Sequence, residues 1–314
     1  MNKKTVYIIF MPGYGVDGFY NYSPKYGKSF DYQLREEIEK AGFNVKFVSD
    51  TFGLKDVAAI ISWDLNQPLL NSLAQHPPKK CILLTFEPPV VAPSYYHPNL
   101  QKQFGTIFTL IDNLVDNKTY FKIYLMTSRL KRIENVADFS TKKYCCLINN
   151  NKMYHHPGEL YSERKKAIAF FSKTGEFNLY GAGWAGISSW RGEARDDAKF
   201  DVLKNHKFTI CFENMTHQRG YISEKIIEAF AGGCVPIYFG ATNIEDYVPR
   251  ESFIDFRKFH SYQHLHAFMK SVDQNSYQSY LNAGECFLQS PQSLRFHSEN
   301  IVKNVMDRIL WAQT

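Results

Sequence analysis

The stretch that most constrains the fold is residues 206–240, HKFTICFENMTHQRGYISEKIIEAFAGGCVPIYFG. Lys207 to Glu213 is a short apolar run with β-branched and aromatic residues, which predicts a buried strand. Asn214 to Ile222 is a polar loop. Ser223 stands where an N-cap belongs, and the residues through Phe230 carry an apolar helical face. Gly232-Gly233 ends that helix, and Cys234–Phe239 reads as a second buried strand. A strand–loop–helix–strand unit of this kind belongs to an open parallel sheet. Such sheets seat ligands beyond the carboxyl ends of their strands. The helix N-terminus there presents unpaired N–H groups and partial positive charge, which suits phosphate. Glu224 and Lys225 fall in its first turn. Spacing alone is equally compatible with a plain crossover carrying surface charges.

A chain of 314 residues exceeds one ordinary core and predicts two domains. We place them at 1–140 and 141–292, with 293–314 as a terminal helix free to pack back on the first, which the sequence alone does not show. Apolar residues make up 44% of the chain, enough to bury both and to exclude bulk disorder. The formal charge of +6 is mild for this length and argues against a nucleic-acid binder, which concentrates charge on one face. It fits an anionic substrate or the negative inner leaflet of a membrane, so a peripheral membrane contact stays open. The six cysteines, mostly in apolar runs and without a C-x-x-C pair, read as buried reduced thiols of a cytoplasmic protein. The apolar run in MNKKTVYIIF is too short for a signal core or a membrane span.

Along the chain, Thr5–Phe10 reads as a first strand, followed by Gly13-Tyr14-Gly15-Val16-Asp17-Gly18. That G-x-G-x-x-G is not a dinucleotide turn, because helical periodicity resumes only near Phe30. It reads as a flexible loop placed to contact a ligand. A helix at Asp31–Ala41 and strands at Val45–Val48, Val57–Trp63 and Lys80–Phe86 follow, indicating a parallel sheet. The last strand ends in Glu87-Pro88-Pro89. A carboxylate held there by two prolines sits at the sheet's functional edge, and partial exclusion of water would raise its pKa toward that of a general base. An exposed turn glutamate is the plainer alternative. Ser128–Lys143 is basic and reads as an exposed connector. A strand at Lys143–Ile148, a helix at Glu159–Phe171 and a strand at Phe177–Tyr180 lead to the opening motif. Three helices close the chain, the last from about Ser293 to Trp311.

The ordered series KF-x-I-C-FEN, GY-I-S-EK-I-x-E-A-F and G-x-VPIY-F-G resembles the nucleotide-sugar signature of glycosyltransferase family 10, the α-1,3/4-fucosyltransferases. FEPPVVAPSYYHP with FGTIFTLIDNLVDNKTYFKI is similar to that family's first-domain stretch. The resemblance implies the GT-B architecture, two Rossmann-like α/β domains facing across a cleft, and inverting transfer of L-fucose from GDP-fucose to an oligosaccharide or glycolipid acceptor. It implies that Glu87 is the catalytic base and that Arg164 contacts the diphosphate, a task its planar fork suits. A solvated helix arginine is the alternative for Arg164. Within the motif, Asn214 can donate its amide to a phosphate or sugar oxygen. Tyr221 can pack against base or sugar with its hydroxyl directed outward. Glu224 can accept two hydroxyl hydrogen bonds, and Lys225 can supply a point charge. No D-x-D triplet occurs, and the histidines lack carboxylate partners at ligand spacing, so no metal is expected. A transferase for another sugar nucleotide and a silent nucleotide-sugar binder stay as alternatives.

Overall fold

Two all-parallel sheets organise the computed structural model, which describes residues 3–9, 29–49, 51–63, 67–127 and 130–314. The loop read at Gly13–Gly18 lies outside those residues. The first sheet runs β2-β1-β3-β4-β5-β6, from β1 (Thr5–Ile9), β2 (Asn44–Phe47), β3 (Val57–Ser62), β4 (Cys81–Leu84), β5 (Thr106–Thr109) and β6 (Tyr120–Lys122). Helices α1 (Phe30–Lys40), α2 (Gln67–Leu73) and α3 (Pro98–Gln101) belong to the same part of the chain. The inner strands are apolar on both faces, as covered parallel strands must be. Ile60, Leu69, Leu73, Leu83, Phe104 and Ile107 form part of one core layer.

The second sheet runs β11-β10-β9-β7-β8. Its strands are β7 (Lys143–Ile148), β8 (Phe177–Tyr180), β9 (His206–Phe212), β10 (Val235–Phe239) and β11 (Ile254–Asp255). Helices α4 (Tyr161–Phe171), α5 (Asp196–Lys204), α6 (Glu224–Ala231), α7 (Tyr262–Ser271) and α8 (Gln274–Gln289) accompany it. Its core includes Leu147, Phe171, Phe208, Ile210, Ile237 and Leu265. Helix α5 was missed in the sequence because its nine residues show only modest amphipathicity between two charged ends.

The chain divides into one unit of Met1–Ser128 with Arg295–Thr314 and another of Arg129–Leu294. The terminal helix α9 (Ser298–Trp311) packs on α1, where Gln33 Nε2 donates to Ser298 Oγ at 2.8 Å. Arg308 Nε donates to Thr106 Oγ1, and Gln313 Nε2 to the Ala58 carbonyl. This helix begins later than the sequence suggests, because Pro291–Phe296 winds as a 3-10 segment first.

Within the stretch read as an exposed basic connector, Ser128–Lys143, Lys131 and Lys143 are exposed, but Lys142 is not. The Ile133 amide donates to the Ala231 carbonyl, and Arg132 pairs with Glu285 at 3.0 Å. Lys142 is buried, with Nζ donating to the carbonyls of Gly233 at 2.6 Å and His206 at 3.1 Å. Its basic charge therefore satisfies strand ends that water cannot reach. All six cysteines are free and five are buried; Cys286, on α8, is exposed. Among the described residues no helix is long and apolar enough to cross a membrane.

His206 opens β9 at 1% exposure. Its Nδ1 lies 2.7 Å from the Val202 carbonyl and its Nε2 2.9 Å from the Asn178 amide, a pairing that needs the neutral ring. Burial pushes its pKa down to about 4. The unfolded chain then binds the extra proton between pH ~6.5 and ~4, so this stability is complete above that window and lost as pH falls through it. We expect a loss on the order of 3 kcal/mol across the window. Thermal unfolding as a function of pH should show it, and His206→Gln should remove that part of the slope.

Candidate functional site

The second sheet reverses its strand order between β7 and β9, the place where parallel α/β sheets open a crevice at their carboxyl edge. Asn149 follows β7, and Glu213-Asn214 follows β9. Arg164, from the first turn of α4, joins the two strand ends. Its Nε and Nη2 donate to the Phe212 carbonyl at 3.1 and 2.8 Å, Nη2 also to Asn214 Oδ1 at 2.9 Å, and Nη1 to Asn149 Oδ1 at 3.2 Å. The guanidinium lies 4.7 Å from the Tyr161 ring centroid. Arg164 is 2% exposed, which rules out the solvated-helix alternative. Burial lowers its pKa, yet a guanidinium keeps its charge.

The residues after β7 also hold the glycine turn after β8. Asn150 Oδ1 accepts from the Ala182 amide, and Asn151 Nδ2 donates to the Gly183 carbonyl. Gly181 has φ +125°, and a Cβ there would fall 2.2 Å from the Asn149 carbonyl oxygen, so no other residue fits.

Glu213 is fully buried at the end of β9. Its Oε1 accepts from the Ser223 amide at 2.8 Å and its Oε2 from Ser223 Oγ at 2.6 Å. Ser223 is the N-cap of α6, as its position in the sequence predicts, and its Oγ also accepts from the Lys225 amide. Lys225 Nζ donates to Ser223 Oγ at 3.0 Å and lies 3.6 Å from Glu213 Oε2 and 3.8 Å from Glu224 Oε1. Burial raises the Glu213 pKa, while Lys225 and the Ser223 hydrogen bonds work against that rise. Gly240 leaves the room for this carboxylate, since a Cβ there would stand 2.4 Å from Glu213 Cγ.

Beside this cluster a cavity of about 490 Å³ opens between α5 and α6, lined by Asn149, Asn150, Lys199, Glu224, Lys225 and Glu228 among others. Its volume is that of a small-molecule site. Glu224 keeps about a third of its side chain exposed. Burial alone would raise its pKa, but Lys225 and then Lys199 outweigh this and hold it low. The cavity thus offers a charged carboxylate as acceptor, an ammonium at a helix N-terminus, and asparagine amides. That set can bind a polyhydroxylated anion.

The second unit therefore brings Arg164, Asn214, Glu224 and Lys225 together. Tyr221 differs from expectation: at 1% exposure its ring is part of the packing and does not project outward. Arg219 forms an exposed pair with Asp246 at 3.3 Å. Sequence reasoning passed over Glu213, Lys199, Glu228 and the structural role of Asn149. For Glu213 a signal existed, a carboxylate ending an apolar strand beside a serine-capped helix. For Lys199 and Glu228 none did.

Glu87 belongs to the first unit, three residues past β4. The Tyr96 hydroxyl donates to its carbonyl at 2.9 Å. Thr85 fixes the strand end through two hydrogen bonds to the Phe108 carbonyl. Phe86 meets Phe30 and Trp63 edge-on at 5.8 and 5.9 Å between centroids, so Glu87 is half-buried behind an aromatic cluster. Asp31, next to Phe30, has its pKa pushed up to about 6 by burial. Among the described residues no group of three or more His, Cys, Asp or Glu is arranged to hold a metal ion.

Removing the Glu213 carboxylate leaves the Ser223 amide and hydroxyl without their buried acceptor. Glu213→Ala should destabilise the protein by about 3 kcal/mol. Urea unfolding measures it, and Gly240→Ala should be destabilising at the same locus by overpacking.

Residues 109–298, more than half of the chain, match the model of Glycosyltransferase family 10 (fucosyltransferase) C-term. The rat 4-galactosyl-N-acetylglucosaminide 3-alpha-L-fucosyltransferase 9 is 29% identical over 229 residues, covering 71% of this chain and 57% of the rat protein. The chain thus spans little more than half the length of the curated relatives it matches. The Arabidopsis thaliana alpha-(1,4)-fucosyltransferase is 42% identical over 81 residues, 25% of this chain and 20% of that one. In fold, the crystal structure of an alpha1,3-fucosyltransferase with GDP superposes with a TM-score of 0.63 at 16% identity, covering 98% of this chain and 91% of that one. The architecture is the pair of Rossmann-like α/β units found in GT-B glycosyltransferases. With its sheet-edge cluster inside the matched segment, the chain belongs to glycosyltransferase family 10.

Proposed function

We propose that this protein transfers L-fucose from GDP-fucose to a hydroxyl of an oligosaccharide acceptor, forming an α-1,3 or α-1,4 linkage with inversion at the anomeric carbon. The observation that carries the reading is the 490 Å³ cavity lined by Asn149, Glu224 and Lys225, with buried Arg164 behind it bonded to Asn149 and Asn214. It falls inside the segment matching the family. Relatives whose names specify 3-alpha-L- and alpha-(1,4)-fucosyl transfer support the linkage class. A fold relative crystallised with GDP supports the donor.

In this reading the diphosphate lies against the N-terminus of α6, with Lys225 supplying a full charge and the helix a partial one. Arg164 already spends its fork on Phe212, Asn214 and Asn149, so its part is to hold Asn214 in place and add positive potential nearby. Tyr221, covered by the fold, takes no direct part in this reading. Glu224 accepts hydrogen bonds from sugar hydroxyls. Glu87 takes the proton of the acceptor hydroxyl as that oxygen attacks the anomeric carbon. The bond from that carbon to the phosphate oxygen breaks on the opposite face, and its electron pair leaves with GDP. Stabilisation of the departing charge by Lys225 and the helix terminus supplies much of the rate. The same cations do the neutralising work that a divalent ion performs in other transferases.

The test is incubation of purified protein with GDP- and UDP-sugars and lacto-series oligosaccharides, with products read by mass spectrometry and linkage by NMR. Consumption of UDP-sugars alone would overturn the donor. GDP-fucose binding without transfer to any acceptor would make the protein a silent binder. Activity should persist in EDTA. Glu87→Gln should lower kcat by at least about 100-fold with GDP affinity nearly unchanged. Lys225→Ala should chiefly weaken donor binding, on the order of 10-fold or more. An equal loss of GDP affinity in both variants would refute this division of roles.

A further inference from the structure

Glu224 and Glu228 sit one helical turn apart on α6, and both line the same cavity. Two carboxylates so placed, partly removed from water, repel each other when both ionise; without a compensating cation one is pushed toward its protonated form. Compensation comes from another helix. Lys199 of α5 reaches across the cavity, with Nζ 2.7 Å from Glu228 Oε2. Lys199 and Glu228 keep 27% and 14% of their side chains exposed, so the pair is shielded enough for its charge to count. Lys225, the other neighbouring cation, is 3.8 Å from Glu224 Oε1 and is shared with Glu213 and Ser223.

We propose that Lys199 is a positioning residue for donor binding: by occupying Glu228 it leaves Glu224 ionised and available to accept hydroxyl hydrogen bonds from the nucleotide sugar. The inference rests on the reading of this cavity as the donor site. The groups that act on Glu224 are Lys199 from α5, Lys225 and Glu228 from α6, Arg164 from α4 and Glu213 at the end of β9. Arg195, at the start of α5, also lines the cavity, but it pairs with Glu193 and is largely exposed. Lys199 is thus the cation bonded to Glu228; without it the two α6 carboxylates have only Lys225, which Glu213 and Ser223 already share. Burial raises the Glu228 pKa, with Lys199 the foremost influence opposing it. A protonated pair would present one acceptor fewer to the ligand and would put a donor where sugar hydroxyls need acceptors.

The experiment compares wild type, Lys199→Met, Lys199→Arg and Lys199→Met/Glu228→Gln by calorimetric titration with GDP-fucose at pH 6.5, 7.5 and 8.5. Lys199→Met should bind about 10-fold more weakly at pH 6.5 and recover to within about 3-fold at pH 8.5, as the carboxylate pair gives up its extra proton. The double variant should regain most of the affinity at every pH, because a lone Glu224 has no second α6 carboxylate to repel it. Lys199→Arg should stay close to wild type. Ligand-free thermal unfolding supplies an independent reading. A raised folded-state carboxyl pKa means the folded protein holds the extra proton, so the Lys199→Met deficit should grow as pH rises from 5 to 8. Glu228→Gln should abolish that trend. A loss of affinity equal at all pH values, or a double variant no better than Lys199→Met, would show Lys199 to be a packing residue and overturn the inference alone. Wild-type protein that binds neither GDP nor GDP-fucose would overturn the functional reading, and this inference with it.

Discussion

A buried guanidinium at the reversal point of the second sheet is the interaction on which the site depends. Strands β7 and β9 end side by side, and their terminal carbonyls and side chains would be unsatisfied in a dry interior. Arg164 answers three of them at once, which a lysine's point charge could not do with the same planarity. The charge that closes this gap also leaves a positive potential at the carboxyl edge. A structural requirement and an electrostatic one are met by the same atoms. Glu213 repeats the arrangement with the opposite sign, tying the end of β9 to the cap of α6 and placing Lys225 at the helix terminus.

Much of this was readable in advance. Alternating apolar runs and helical stretches specify parallel sheets, because covered strands must be apolar on both faces. Ser223 declared the start of α6, and Gly232-Gly233 its end, through local backbone preferences that tertiary context did not override. Glu224 and Lys225 followed from being in the first turn of that helix. These are all short-range facts. What stayed hidden was long-range. Lys199 meets Glu228 from another helix, and Lys142 is buried by strand ends far along the chain. A run of basic residues looks solvated until the acceptors that face it are known. Tyr221 shows the converse, a side chain well suited to face a ligand that the fold instead covers completely.

The glycines make the same point from the side of steric limits. Gly240 and Gly181 tolerate no Cβ because Glu213 and the Asn149 carbonyl occupy that space. Gly181 lines the cavity and Gly240 does not, yet each is as tightly specified as the groups packed against it. The site is therefore set by exclusion as much as by attraction. Substitutions there would be felt through displaced backbone rather than lost contacts.

Helix α9 completes the first unit from the far end of the chain, after the whole of the second unit has intervened. During synthesis, residues 129–294 can therefore close their core as soon as they emerge, while the earlier unit waits with α1 uncovered. Until residues 298–311 leave the ribosome, the nascent first half exposes the surface that α9 will cover, and it is at that stage that a chaperone would find the most to hold.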